Sequence, residues 1–349
     1  MSRNVVARPR FFISLSGCLA AVLSSPLVSA VTIIPEKSGV SGYVNLGLGV
    51  IDIESNMVAG LARGIVDVGD AVTDDIDSAP DNDTAVVPMF NFEVSYTFAE
   101  SRTQVYIGNL LEDFLTFDLS GLAGVRQDVG GAGLFGLALV STSLSADVWE
   151  DPYQTGVKRE DTERTGRGYR LTWERMFDSG MQVEYSSKSI DIDTERSGQG
   201  LGLGTAEQRL LDRNGDLKRL EVGYEFRLAG DRQILTPKAV YRDADLDGRA
   251  MANDGYGASL NYIFVQDQRL RWVFNVAYQT LDYDKVNPVY GQRDDANQYG
   301  ISATTFYSAP FGWTPWAFNA TAAYFKENHD IDFYDTSVAA FTVGLFRRF

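Results

Sequence analysis

Phe90-Asn91-Phe92-Glu93-Val94-Ser95-Tyr96-Thr97-Phe98 sets a bulky apolar side chain at every second position and a polar one between. Successive side chains of an extended chain point to opposite sides, so this stretch is a strand with one greasy face and one wet face. The same period recurs in Leu220, Val222, Tyr224, Phe226 and Leu228, set against Glu221, Gly223, Glu225 and Arg227. It recurs again in Trp272, Phe274, Val276 and Tyr278, set against Arg271, Asn275 and Gln279. A soluble sandwich buries its apolar faces in a core, whereas a membrane barrel turns them to lipid and keeps water inside.

The connections choose between these two solutions. Short links at Ala99 to Arg102, Asp178 to Gly180, Ala229 to Gln233, Gln266 to Arg269 and Pro310 to Gly312 take turns with long polar ones. The long ones run from Glu54 to Ala85, Glu150 to Arg167, Thr194 to Asp216 and Lys285 to Ala296. Short periplasmic turns and long outer loops are the pattern of transmembrane barrels. The chain therefore reads as all-β: a transmembrane antiparallel β-barrel of about fourteen strands, within a range of roughly 12 to 16, with long acidic extracellular loops. Strands are expected near 40–53, 87–98, 103–109, 115–126, 134–148, 168–177, 181–192, 218–228, 234–246, 255–265, 270–283, 298–308, 313–326 and 336–349. Two fit less cleanly, since the strand from 134 begins apolar on both faces and that from 234 holds Pro237. Tyr43, Tyr96, Trp173, Tyr185, Tyr224, Tyr262, Trp272, Trp313 and Trp316 are expected to form interfacial girdles.

Ahead of the first strand, Arg3, Arg8 and Arg10 precede an apolar run from Phe11 to Leu23, and Val28-Ser29-Ala30 offers small residues for cleavage. Residues 1–30 read as a secretory signal peptide and 31–349 as the barrel. Leu15-Ser16-Gly17-Cys18 has the outline of a lipoprotein box, but the apolar run continues past Cys18, which reads as part of the leader. Cys18 is the sole cysteine, so the mature chain offers neither a disulfide nor a thiolate metal site. Setting aside the leader's three arginines, 28 of the 31 Lys and Arg remain against 47 Asp and Glu, which leaves the mature chain 19 negative. Nucleic acid is excluded as a partner for such a surface.

At the other end, Val343-Gly344-Leu345-Phe346-Arg347-Arg348-Phe349 resembles the C-terminal targeting signal of bacterial outer-membrane proteins, with Arg347 departing from its apolar pattern. Four further strings are distinctive: Ile34-Pro35-Glu36-Lys37-Ser38-Gly39, Glu54-Ser55-Asn56-Met57-Val58-Ala59-Gly60, Ser101-Arg102-Thr103-Gln104-Val105-Tyr106 with Gly108-Asn109, and Trp149-Glu150-Asp151-Pro152-Tyr153. Through them the first half of the mature chain resembles an uncharacterised family of Gram-negative outer-membrane proteins, known as domain of unknown function 2860. The resemblance implies a barrel in the outer membrane and brings no substrate, mechanism or functional residue. Outer-membrane lipid and lipopolysaccharide are the implied surroundings, and the assembly machinery is the partner implied by the strand ending at Phe349.

Alternation assigns Glu93, Asp118, Arg126, Arg170, Glu174, Glu184, Lys188, Glu221, Glu225, Arg227, Lys238, Arg242, Arg271 and Arg348 to the lumen. Their signs are mixed, so they can line a pore or pair and close it. Asp67, Asp70, Asp74, Asp75, Asp77, Asp81 and Asp83 crowd the first loop, which can cover the mouth or fold inward. Asp243, Asp245, Asp247, Gly248 and Asp254 fit the calcium-loop template, with Asp in place of the closing Glu and strands in place of flanking helices. Calcium at the outer rim is the one metal this suggests, and no other cofactor is expected. No catalytic apparatus is visible, because His329 is the only histidine and is expected in a loop, near Asp330. The reading is a narrow, porin-like channel for small polar or cationic solutes. The alternative is a non-conducting surface barrel whose acidic loops bind divalent cations, lipopolysaccharide or an extracellular partner, and an outer-membrane hydrolase stands third.

Overall fold

A computed structural model describes residues 32–61, 66–113, 118–230 and 232–349. Fourteen antiparallel strands close into one barrel. They are β1 (Gly39–Glu54), β2 (Asn82–Phe98), β3 (Thr103–Asp113), β4 (Asp118–Asp128), β5 (Leu134–Leu144), β6 (Asp161–Glu174) and β7 (Met181–Ile192). There follow β8 (Gly215–Tyr224 continued by Phe226–Leu228), β9 (Gln233–Leu246), β10 (Asn253–Val265), β11 (Leu270–Tyr283), β12 (Ala296–Ser308), β13 (Trp316–His329) and β14 (Thr336–Arg348). Each pairs with its neighbour in sequence, and β1 closes the ring by pairing with β14 from Tyr43↔Arg348 to Glu54↔Ser337. Phe349 completes the seam by exchanging two backbone hydrogen bonds with Gly42, of 2.9 and 3.0 Å. Closure matters because hydrocarbon offers no hydrogen bonds to a free strand edge. Among the described residues no helix is long and apolar enough to cross a membrane.

The alternation seen in the sequence is realised as two surfaces. Outward side chains such as Leu139, Val86 and Ile107 are 67%, 65% and 53% exposed, forming an apolar band with no protein against it. Their inward neighbours on the same strands, Asn91 and Gln104 among them, are buried. An apolar exterior around a polar interior is stable only in a bilayer, so the fold is a membrane barrel of the outer-membrane type. The six inner turns are tight, and every described non-glycine residue at positive φ lies in one of them: Arg102, Arg175, Phe177, Asp178, Ala229, Ala309 and Phe311. Both described chain ends sit on this inner side.

Several local expectations are corrected. Tyr43 is not part of a girdle: it lies on the inward face of β1 and stacks on Phe346 at 5.4 Å. The outer connection at 247–252 is a single short turn, as the expected strand bounds leave it, and that at 114–117 lies outside the described residues. Pro237 does sit within β9, at the cost of a gap in the ladder where β8 breaks between Tyr224 and Phe226. Lacking an N–H, a proline in a sheet needs such an interruption. The strand from 134 is interrupted after Leu144, and Ala146–Trp149 resumes the pairing with the outer end of β6, from Ala146↔Arg164 to Trp149↔Asp161.

Candidate functional site: the barrel interior

The inward faces of β2 to β9 carry charges that pair along the wall. Arg126 on β4 reaches over β3 to grip Glu93 on β2 through two 2.8 Å hydrogen bonds, with its guanidinium 3.7 Å from the Tyr106 ring centroid. Arg170 meets Glu184 at 3.1 Å between β6 and β7. Glu221 accepts from Lys238 at 2.8 Å and from Arg219 at 2.7 Å, Glu225 pairs with Arg227 at 2.7 Å, and Lys188 reaches Ser120 at 3.1 Å. Two of these pairs remain part wetted, the side chains of Glu184 and Glu93 being 33% and 26% exposed inside the barrel, whereas Lys188, Glu221 and Glu225 are buried. Arg242 and Arg271 also face inward, whereas the Asp118 side chain lies outside the described residues. Arg219 was missed by the sequence reading, although it shares the parity of Glu221 and could have been found from it. The middle of the opposite wall, on β11 to β13, is neutral, with Asn275, Ser302, Thr304, Asn319 and Thr321 buried side by side.

The outer mouth is narrowed from within. Val58–Leu61 and Val66–Asp67 form a hairpin that turns into the barrel and pairs with Ala146–Trp149. Val58, Leu61, Val66 and Val68 bury against Ile51, Ile53, Val87, Phe325 and Val338, all on inward faces. Thus the first loop folds inward, and its acids Asp67, Asp70, Asp74, Asp75 and Asp77 point to solvent at the rim. Above the hairpin the loops share a core of Tyr153, Leu211, Ile331, Phe333 and Tyr334. Tyr153 and Tyr334 join through their hydroxyls at 2.5 Å, and Asn287 donates to Tyr334 at 2.7 Å. Arg159, 1% exposed, donates to the carbonyls of Asn56, Pro152 and Asp70 and stacks on Trp149.

The inner mouth is also narrowed. Ile34 is buried, Arg102 donates to the carbonyls of Ile34 and Pro35, and the Thr32 N–H donates to Glu174 at 2.6 Å. The distinctive strings of the sequence therefore meet in pairs. Ile34-Pro35 is clasped by Arg102 at the inner mouth, while Asn56 and Pro152 are clasped by Arg159 at the outer one.

His329 does not lie in a loop and does not pair with Asp330. It ends β13 above Tyr324, the last lipid-facing apolar residue of that strand, and points inward under the loops. Its Nδ1 is 2.7 Å from Asp294 and its Nε2 3.1 Å from Glu327. Burial opposes charge on the imidazole, but the two carboxylates together outweigh it and push its pKa up to about 10. With both nitrogens occupied by carboxylates, the ring has none to offer a serine as a base.

The acids of the calcium template do not wrap round one point, because most of them stand on the outward face of a hairpin rather than in a loop. Asp243 and Asp245 project outward on β9 and bracket Lys218 at 3.4 and 3.5 Å, and Asp245 also pairs with Arg249 at 2.8 Å. Asp254 is opposite Asp243 across the β9–β10 hairpin, and Asp247 stands in the turn. Among the described residues no three acidic, histidine or cysteine side chains converge on a point where a metal ion would sit.

The barrel is similar to several proteins of known structure. The outer membrane channel DcaP of Acinetobacter baumannii is 10% identical at a TM-score of 0.46, with 89% of this chain and 97% of that chain covered. For OmpT, an outer membrane protein of Vibrio cholerae, the figures are 8% and 0.43, with 92% and 100% covered. The toluene transporter TodX of P. putida is 12% identical at 0.43, with 88% and 89% covered. At these identities the likeness extends to the barrel alone. No curated protein of similar sequence was found. The family described as "Protein of unknown function (DUF2860)" matches residues 39–346.

Proposed function

Because this chain belongs to the DUF2860 family, whose description names no activity, we propose its role from its own lumen: a narrow passage for small polar solutes across the outer membrane. The observation that carries this reading is the pair of part-wetted ion pairs, Glu93 with Arg126 and Glu184 with Arg170, on the lumen wall. A barrel filled for rigidity alone would bury apolar side chains there, since half-hydrated charges in a sealed interior are costly. The inward hairpin and the N-terminal segment make the path tight at both mouths, which limits it to small solutes. Acidic side chains at the rim draw cations toward the outer mouth. The described inward wall below carries more bases than acids, so any cation preference belongs to the rim and not to the wall. Single-channel recording from refolded protein in a planar bilayer should give small, discrete openings. A silent bilayer containing correctly folded barrels would sink the proposal.

One observation favours the second reading, a non-conducting surface barrel. The outer loops have an apolar core of their own, as a recognition surface requires, and Asp243, Asp254 and Asp282 lie side by side on the outward faces of β9, β10 and β11. Such a row can share divalent cations with lipopolysaccharide phosphates. If thermal stability in lipopolysaccharide-containing membranes is the same with calcium and with chelator, this reading loses its support.

A further inference from the structure

Three lumen arginines are left out of the paired wall, Arg242 toward the outer end of β9 and two at the inner mouth. Arg271 is the second residue of β11 and shares the inward parity of Val273 and Asn275; Arg348 ends β14 and shares that of Phe346. Neither side chain makes an ion pair or hydrogen bond with another described residue, and the Nε of Arg271 is buried without an acceptor. The two guanidiniums are close enough to repel each other. Glu93, the acid within electrostatic reach of Arg348, is already engaged by Arg126.

Between them lies an aromatic floor. Arg271 is opposite Phe306 in the β11–β12 register, and Arg348 is opposite Tyr43 in the β14–β1 register. Phe346 joins the two sides, stacked on Tyr43 and edge-on to Phe306 at 6.0 Å. Two unpartnered guanidinium forks over an apolar floor fit an oxyanion, since planar N–H pairs match carboxylate and phosphate oxygens and a bound negative charge removes the mutual repulsion. We propose that Arg271 and Arg348 form an oxyanion-binding site at the inner mouth, taking the carboxylate or phosphate group of a small solute. The inward direction of both side chains favours a solute in the lumen over the headgroup of an anionic phospholipid, which offers the same chemistry from the inner leaflet.

Refolded protein in uncharged detergent, titrated calorimetrically with inorganic phosphate and with acetate, should show saturable binding of at least one. Arg271→Gln and Arg348→Gln should each weaken it at least about tenfold, as expected for loss of a charge-assisted pair, while Arg→Lys at either position restores part of it. Heat-modifiable migration and far-UV circular dichroism establish that each variant is folded. The same titrations in nanodiscs of phosphatidylcholine and of phosphatidylglycerol separate the sources: anion binding displaced by phosphatidylglycerol, and dependent on both arginines, assigns the site to the headgroup. Unchanged affinity in a folded double Gln variant overturns the proposal, as does failure of both anions and of phosphatidylglycerol to bind. Because binding is read without current, a barrel that does not conduct leaves this test intact.

Discussion

His329 shows what a single buried side chain contributes above the membrane. Its imidazolium is held between Asp294 and Glu327, with Tyr283 and Tyr334 rings about it, so it ties β12's outer end to β13 beneath the loops. Replacing it with alanine leaves two carboxylates facing each other in a buried space. Such a loss costs about 3–5 kcal/mol of local stability. His329→Ala should therefore release the loops to proteolysis while the strands stay protected. The pH dependence has a definite sign. A pKa raised from 6.5 in the unfolded chain to about 10 in the folded one gives stability that is complete below pH 6.5 and is lost as pH rises toward 10. Hydrogen exchange of the loop around Asp332 to Asp335 should accelerate between pH 7 and 10 beyond the intrinsic rate, and it should not do so in His329→Gln. A flat ratio of wild type to variant across that range would refute the role. None of this was legible in the sequence beyond the histidine itself, because Asp294 is thirty-five positions away and comes beside it only through the β12–β13 register.

The hairpin formed by Val58–Leu61 and Val66–Asp67 is an element whose place depends on one close approach. Gly69 runs so near it that a Cβ there would meet the Val58 carbonyl oxygen at 2.3 Å and the Trp149 ring at 3.0 Å. The first contact is backbone and cannot swing aside. Gly69→Val should therefore displace the hairpin from the upper lumen, at a cost of about 1–3 kcal/mol typical of forced overpacking. In a conducting barrel the unitary conductance should rise, and in any case new protease cleavage should appear between residues 55 and 81. Normal protection together with wild-type conductance would show that the hairpin is not held there. The strands were readable in advance because lipid on one side and water on the other enforce a period of two along every span. The hairpin's direction was not, because it depends on contacts such as Asn56 with Phe333, 277 positions apart. For the same reason the lumen faces of Arg126 and Glu93 were legible from alternation, while their pairing across β3 was set by the barrel's shear.

At the scale of the whole molecule the charges are sorted by height. The chain is strongly acidic, with 47 Asp and Glu against 31 Lys and Arg, yet described acids without an ion-pair partner, such as Asp74, Asp75 and Asp77, stand at the outer rim, and the unpartnered Arg271 and Arg348 stand at the inner mouth. Between these ends, most acids along β2 to β9 are paired with bases. A narrow passage that is negative at one end and positive at the other does not conduct equally in both directions. Cations enter readily at the acidic end and anions at the basic end, so a voltage positive on the outer side drives both into the barrel and raises their concentration within. The opposite voltage drains both. Current through single barrels inserted in one orientation should therefore be larger with the outer side positive in 0.1 M salt, where charges are felt over about 10 Å. In 1 M salt, with a screening length of about 3 Å, the asymmetry should fade. Arg271→Gln with Arg348→Gln should flatten the low-salt curve from the inner side, and exchanging the first loop's aspartates for asparagine should flatten it from the outer side. Rectification that survives both changes would mean that the tight mouths, by their shape, set the direction of flow.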